Sequence, residues 1–100
     1  MKPVNLHSEA MQELDDAVAY YQEQAPGLGL DFLDEVEQAL KRIQHSSNLG
    51  QPYKNTRLRR YVLRKFPFLI FYTELDTLIW VVAIAHAKRK PDYWRTRQIT

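Results

Sequence analysis

One hundred residues, 45% apolar, 26% charged and free of cysteine, describe one domain spanning 1–100 with neither a disulfide framework nor a thiolate metal site. A chain of this length buries roughly 60–70% of its unfolded surface, enough for a core without a covalent staple. No apolar run approaches the roughly 20 residues of a membrane-spanning helix, and the N-terminus lacks the apolar stretch of a secretory signal, so a cytoplasmic protein without a membrane partner is expected.

The net charge of +2 hides an asymmetry between the halves. Residues 1–50 hold three Lys/Arg against nine Asp/Glu, and residues 51–100 hold eleven against three. A basic half of this kind suits an anionic partner. The alternative is two solvated faces of opposite sign that attract each other.

In chain order, Val4–Leu6 follows Pro3 and reads as a brief strand. Ser8 is placed to cap a helix over residues 8–24, with Glu9 in its positive first turn. Ala10, Leu14, Ala17, Val18 and Tyr21 recur at helical spacing, while Glu13, Asp16 and Glu23 mark the opposite face. Gln-Ala-Pro-Gly-Leu-Gly (24–29) breaks the pattern. A second amphipathic helix follows to about His45, with Phe32, Leu33, Val36, Leu40 and Ile43 on one stripe. The polar segment 46–52 reads as a loop, and the two helices form an antiparallel hairpin.

The period then changes. Residues 57–65 mix basic, aromatic and β-branched side chains. Residues 68–73 are almost wholly apolar or aromatic, 74–77 form a turn, and 78–85 are a continuous β-forming run. Such a run marks a central strand covered on both faces. Pro67 belongs at a strand start or edge, because it has no N–H to donate. The predicted architecture is α+β: a short N-terminal strand, then a helical hairpin packed on one face of a twisted, mainly antiparallel sheet (β-α-α-β-β-β). The other sheet face, with the basic and aromatic tail 86–100, is expected to be free for a partner.

Two constellations can carry chemistry. In the basic strand, alternation puts Arg60 and Arg64 on one face with Leu58 and Val62, and Arg57, Arg59 and Lys65 on the other with Tyr61 and Leu63. Arginine binds phosphate bidentately and stabilises developing negative charge, although basic residues also guard an edge strand against aggregation. In the tail, Lys88, Arg89, Lys90, Arg95 and Arg97 interleave with Tyr93 and Trp94. That pattern suits nucleic acid, with cations on phosphates and rings on bases. His86 ends the apolar strand and is a candidate acid or base, or a hydrogen-bonding structural residue. His7 and His45 have no ligand partner at metal-like spacing, so no metal and no cofactor are expected.

Jointly, several segments resemble the RelE/ParE superfamily of toxins from type II toxin–antitoxin modules, a plasmid-stabilisation group. They are Ala-Met-Gln-Glu-Leu-Asp-Asp-Ala-Val-Ala-Tyr-Tyr (10–21), Gly-Gln-Pro (50–52), Phe-Pro-Phe-Leu-Ile-Phe-Tyr (66–72) and Val-Val-Ala-Ile-Ala-His (81–86) with Arg89, Pro91, Tyr93, Trp94 and Arg97. The resemblance implies a growth-inhibiting toxin neutralised by a cognate antitoxin that folds onto it. RelE-like members cut mRNA in the ribosomal A site, whereas ParE-like members poison DNA gyrase. A RelE-like nuclease would use Arg60, Arg64, His86 and Tyr93 as catalytic residues. For target binding the resemblance and the charge pattern together point to Arg57, Arg59, Lys65, Lys88, Arg89, Trp94 and Arg97. This chain carries Val62, Leu69 and Ala87 where the nuclease branch has basic residues, and its last strand and first helix look closer to ParE-like members. The expectation is therefore a gyrase poison, with an mRNA endonuclease and an inactive antitoxin-binding module as the alternatives.

Overall fold

The computed structural model describes residues 1–90 and 92–97. Pro3 leads the chain in extended form into β1 (Val4–Leu6), which lies parallel to β5 (Ile79–His86) in the register Val4↔Ile79 to Leu6↔Val81. His7 stays tied to this strand through its N–H, which donates to the Val81 carbonyl at 2.9 Å. Its Nδ1 accepts the Glu9 N–H at 3.0 Å, so His7, rather than the expected Ser8, caps α1 (Ser8–Gln24). The sheet holds the backbone one residue longer than the sequence suggested, and the imidazole nitrogen takes the role of a capping oxygen.

Ala25 and Pro26 end α1, and α2 (Leu28–His45) runs back along it. The buried positions of α2 are Gly29, Phe32, Val36, Ala39 and Ile43, alternating three and four residues apart. Gly29 and Ala39 extend the stripe beyond its bulky members. At Gly29 the two helices approach closely: a Cβ there would lie 2.4 Å from the Val18 carbonyl oxygen. Its N–H donates to Gln22 Oε1 at 3.1 Å.

The sheet order is β1-β5-β4-β3-β2. β2 (Gln51–Pro52) falls in the segment expected to be a loop and pairs only Gln51↔Arg60 and Pro52↔Arg59. A proline is tolerated there because its neighbour lies on one side only. β3 (Arg59–Val62), shorter than the predicted 57–65, is thus one place in from the edge, and it pairs antiparallel with β4 (Phe68–Glu74), which pairs antiparallel with β5. Pro67 sits just before β4, where its missing N–H breaks no ladder bond. The predicted α+β arrangement of a helical hairpin on a mainly antiparallel sheet is observed.

Both sheet faces are covered. Toward the helices, Phe32, Val36 and Ile43 bury themselves on Ile70, Tyr72 and Val81; each such side chain contributes about 1.5–3 kcal/mol. On the far face, Leu58, Phe71, Val82 and Trp94 form a second cluster. Trp94 is 4% exposed and lies 4.7 Å from the Phe71 ring. The expectation of a far face left free is therefore corrected: the tail folds over it, because β5 is apolar on both sides. No described helix is long and apolar enough to cross a membrane.

Substituting Gly29→Ala should force the helices apart at a backbone oxygen that cannot rotate away. The expected loss is about 1–3 kcal/mol, read as a lower urea midpoint with secondary structure retained.

Candidate functional site

The candidate site is built around the end of β5 and the turn after it. Beyond Leu6, β1 no longer accompanies β5, so the outer edge of β5 presents bare backbone groups. Glu13, on the inner side of α1, supplies an acceptor: its Oε1 takes the Ile84 N–H at 3.0 Å. Arg97 supplies the donor, with Nη1 bonded to the Val82 carbonyl at 3.0 Å. The two side chains also pair with each other through Nη1–Oε1 at 2.9 Å and Nη2–Oε2 at 3.0 Å. The Arg97 side chain is 7% exposed and that of Glu13 15%. Burial opposes the Arg97 charge, but the hydrogen bonds and charge of Glu13 outweigh it and raise the guanidinium pKa. The Tyr93 hydroxyl donates to Glu13 Oε2, which it shares with Arg97 Nη2. Its pKa is pushed well above the ordinary tyrosine value, first by burial and then by that bond to a carboxylate.

His86 is half-buried at the end of β5. Its ring stands edge-on to Phe68 at 5.1 Å, and its Nδ1 accepts the Lys88 N–H at 3.0 Å. The Arg89 guanidinium lies over the Tyr93 ring, 3.9 Å from its centroid. An open groove of about 430 Å³ runs beside this turn, with Tyr20, Tyr21, Phe68, Ile84, His86 and Arg89 among its walls.

The four residues named as nuclease candidates are only partly brought together. Arg60, His86 and Tyr93 line one cleft on the far face. Arg64 lies on the helix side, in a groove with Asp31, Asp34 and Glu35 of α2. Alternation held only from Leu58 to Leu63. The strand ends at Val62 and the chain turns there, with the Leu63 N–H bonded to the Phe68 carbonyl at 3.0 Å. Glu35 then accepts the Arg64 and Lys65 backbone N–H groups at 2.6 and 3.0 Å, which pulls that turn onto α2.

The target-binding candidates divide in the same way. Arg57, Lys65, Lys88 and Arg89 are exposed. Arg59 is half-buried and bonds inward, with Nη1 2.7 Å from the Gly50 carbonyl. Trp94 and Arg97 were expected on a contact surface, and both are instead interior: one fills the far-face cluster and the other closes the β5 edge. Pro91, quoted for the resemblance, lies outside the described residues. Sequence reasoning placed Glu13 on a solvated helix face. Its one available signal was an acidic residue one position before Leu14 on the buried stripe, four residues ahead of Ala17.

Removing one member of a buried ion pair strands the other. Glu13→Ala should cost about 3 kcal/mol, with the Trp94 near-ultraviolet signal weakened because the tail loses its anchor. Tyr93 keeps its proton longer when folded than when unfolded, so its stabilising effect is complete below pH about 10 and is lost as pH rises toward the folded value. A Tyr93→Phe variant should therefore show a shallower alkaline loss of stability, measured by denaturation midpoints across that range.

Sequence comparison matches residues 4–91 to the family described as the ParE toxin of the type II toxin–antitoxin system, parDE. Among solved structures, the fold is similar to the chromosomal ParDE toxin–antitoxin system from P. aeruginosa, with a TM-score of 0.78 at 20% identity, covering 88% of this chain and 98% of that one. No curated protein sequence gives a significant match. With nearly nine-tenths of its length inside the family's pattern, the chain belongs to the ParE toxins of type II toxin–antitoxin systems.

Proposed function

We propose that this toxin arrests growth in the cytoplasm by poisoning DNA gyrase and that a cognate antitoxin holds it inactive. The family assignment supports a toxin with an antitoxin partner. What carries the choice of target is that Arg64 lies away from the cleft shared by Arg60, His86 and Tyr93 and that the Tyr93 hydroxyl is committed to Glu13.

Cleavage through a 2′-hydroxyl requires a base, an acid and positive charge converging on one phosphate. Arg60 and Arg64 fall on opposite sides of the sheet. The Tyr93 hydroxyl is committed to Glu13 and holds its proton tightly, which makes it a poor acid near neutrality. His86 Nδ1 is occupied by the Lys88 N–H, which leaves only Nε2 to exchange a proton. These features favour a toxin that works by binding over one that works by phosphoryl transfer. Exposed Arg57, Lys65, Lys88 and Arg89 are the cations available to such a target.

The test uses purified toxin in two reactions. With gyrase and supercoiled plasmid, it should trap cleaved DNA. In a translating extract it should leave mRNA intact, and Arg64→Ala should not alter the gyrase result. Codon-dependent mRNA cuts without trapped DNA would overturn the proposal in favour of the endonuclease reading. Silence in both reactions, with no growth arrest on expression, would leave an antitoxin-binding module.

A further inference from the structure

We infer that the outward face of α2 is a self-recognition surface, on which two copies of this chain pair antiparallel about Gln38. The inference does not rest on the identity of the toxin's target.

The face lies opposite the stripe that α2 buries. Asp31, Asp34, Gln38, Lys41 and His45 recur at alternating intervals of three and four residues, which sets them in one line along a helix. All five are exposed. Among the described residues, none of their side chains has a hydrogen-bond or ion-pair partner. Glu37 stands four residues before Lys41, the spacing of a pair within the helix, and no such pair forms.

Charge is ordered along this line, acids before Gln38 and bases after it. The helix dipole accounts for the ends: Asp31 is in the first turn, and Arg42 and His45 are in the last. That effect fades within a turn of each end, and Asp34 and Lys41 lie further in. A helix with acids in one half and bases in the other is complementary to a second copy running the opposite way. With the two-fold axis at Gln38, positions equidistant from it meet. Asp31 and His45 are each seven residues away, and Asp34 and Arg42 each four, with Lys41 beside Arg42. Every contact then occurs twice, as an isologous interface requires. Gln38 carries both a donor and an acceptor to offer its own copy. A parallel pair would set like charges against each other.

The surface around the line fits the same arrangement. Two grooves border it, and both include Gln38 and Arg42. One of about 600 Å³ lies toward the β3–β4 turn, with Leu28, Leu63 and Phe66 in its wall. The other, about 430 Å³, runs to the turn after α2 and is lined by His45, Ser46 and Leu49. Leu30 and Leu49 are 64% and 45% exposed. Leu30 is eight residues before Gln38, so it faces position 46 of the second copy, where the turn brings Leu49. An apolar contact thus closes each end of the charged line. The 18 residues of α2 span about 27 Å. A strip of that length buries less than about 1,200 Å² in all, the range of weak complexes.

The test is sedimentation of purified toxin from micromolar to millimolar concentration. A monomer–dimer equilibrium should appear and should weaken as salt is raised, because exposed charges are screened. Amide resonances that move on dilution should cluster in residues 30–49. Asp34→Lys and Lys41→Glu should each weaken association roughly tenfold, since each turns two symmetry-related attractions into repulsions. The double variant opposes unlike charges again and should associate as the parent does. Asp15→Lys, exposed on α1, changes net charge as much as Asp34→Lys and should leave association unchanged. These side chains are exposed, so melting curves should stay near that of the parent. A toxin that sediments as a monomer throughout, a dimer indifferent to Asp34→Lys, or a double variant no tighter than the single ones would each overturn the inference. So would a monomeric toxin whose antitoxin complex is lost in Lys41→Glu, which would assign this face to the antitoxin.

Discussion

A single carboxylate on the first helix completes the edge of the longest strand. Where β1 ends, Ile84 N–H and Val82 C=O of β5 would otherwise lie without partners at the margin of the core, at a cost of the order of 1–3 kcal/mol for each unmet group. Glu13 and Arg97 bond one each and then bond one another, replacing two residues of a missing strand with two side chains. The same arrangement fixes the tail. Trp94 lies three residues before Arg97, so anchoring the arginine sets the indole over Phe71. The helix layer, the sheet and the C-terminal turns are thus coupled through one acidic residue.

The opposite charges of the two halves are used in two ways. Some of the basic half is turned inward onto acids of the leading fifty residues: Arg97 onto Glu13 and, at 3.7 Å, Glu9, and the backbone of the Arg64–Lys65 turn onto Glu35. Among the ion pairs of the described residues, only Glu13–Arg97 is well buried on both sides, and so only it carries a large energetic consequence. Lys54–Asp92 and Lys2–Glu74 are substantially exposed and contribute little to stability. Among the described residues, Arg60 and Lys90 have no carboxylate partner, while Arg89 lies on the Tyr93 ring, between the far-face cleft and the groove beside α1. The arginine-rich segments are thus neither gathered on one surface nor wholly neutralised; they are sorted by which side of the sheet the backbone delivers them to.

Much of the architecture was legible before any coordinates. The apolar spacing of both helices, the breaker at Pro26 and the long β-forming run in β5 are local signals, and each produced the expected element. The errors share a cause. β2 was missed because two residues carry no periodic signal; its pairing with Arg59 and Arg60 depends on Tyr72. The buried Tyr72 hydroxyl accepts the Gly50 N–H at 2.8 Å and donates to the Ser47 carbonyl at 2.9 Å, which presses residues 47–50 against the sheet. Gly50 fits there because a Cβ would meet that hydroxyl at 2.8 Å. Arg64 was placed with Arg60 because alternation was continued past the end of β3, where Glu35 draws the chain the other way.

The sequence by itself determined the family, the element types and the existence of a core with apolar strands needing cover on both sides, because these follow from the order and periodicity of neighbouring residues. Only the tertiary structure decided which polar residues are structural and which are available. Glu13 and Arg97 are 84 positions apart and Trp94 is read from sequence as a surface aromatic. Their roles come from a strand edge and a bare sheet face that exist only once the chain has folded, and no local pattern records a partner supplied from the far end of the chain.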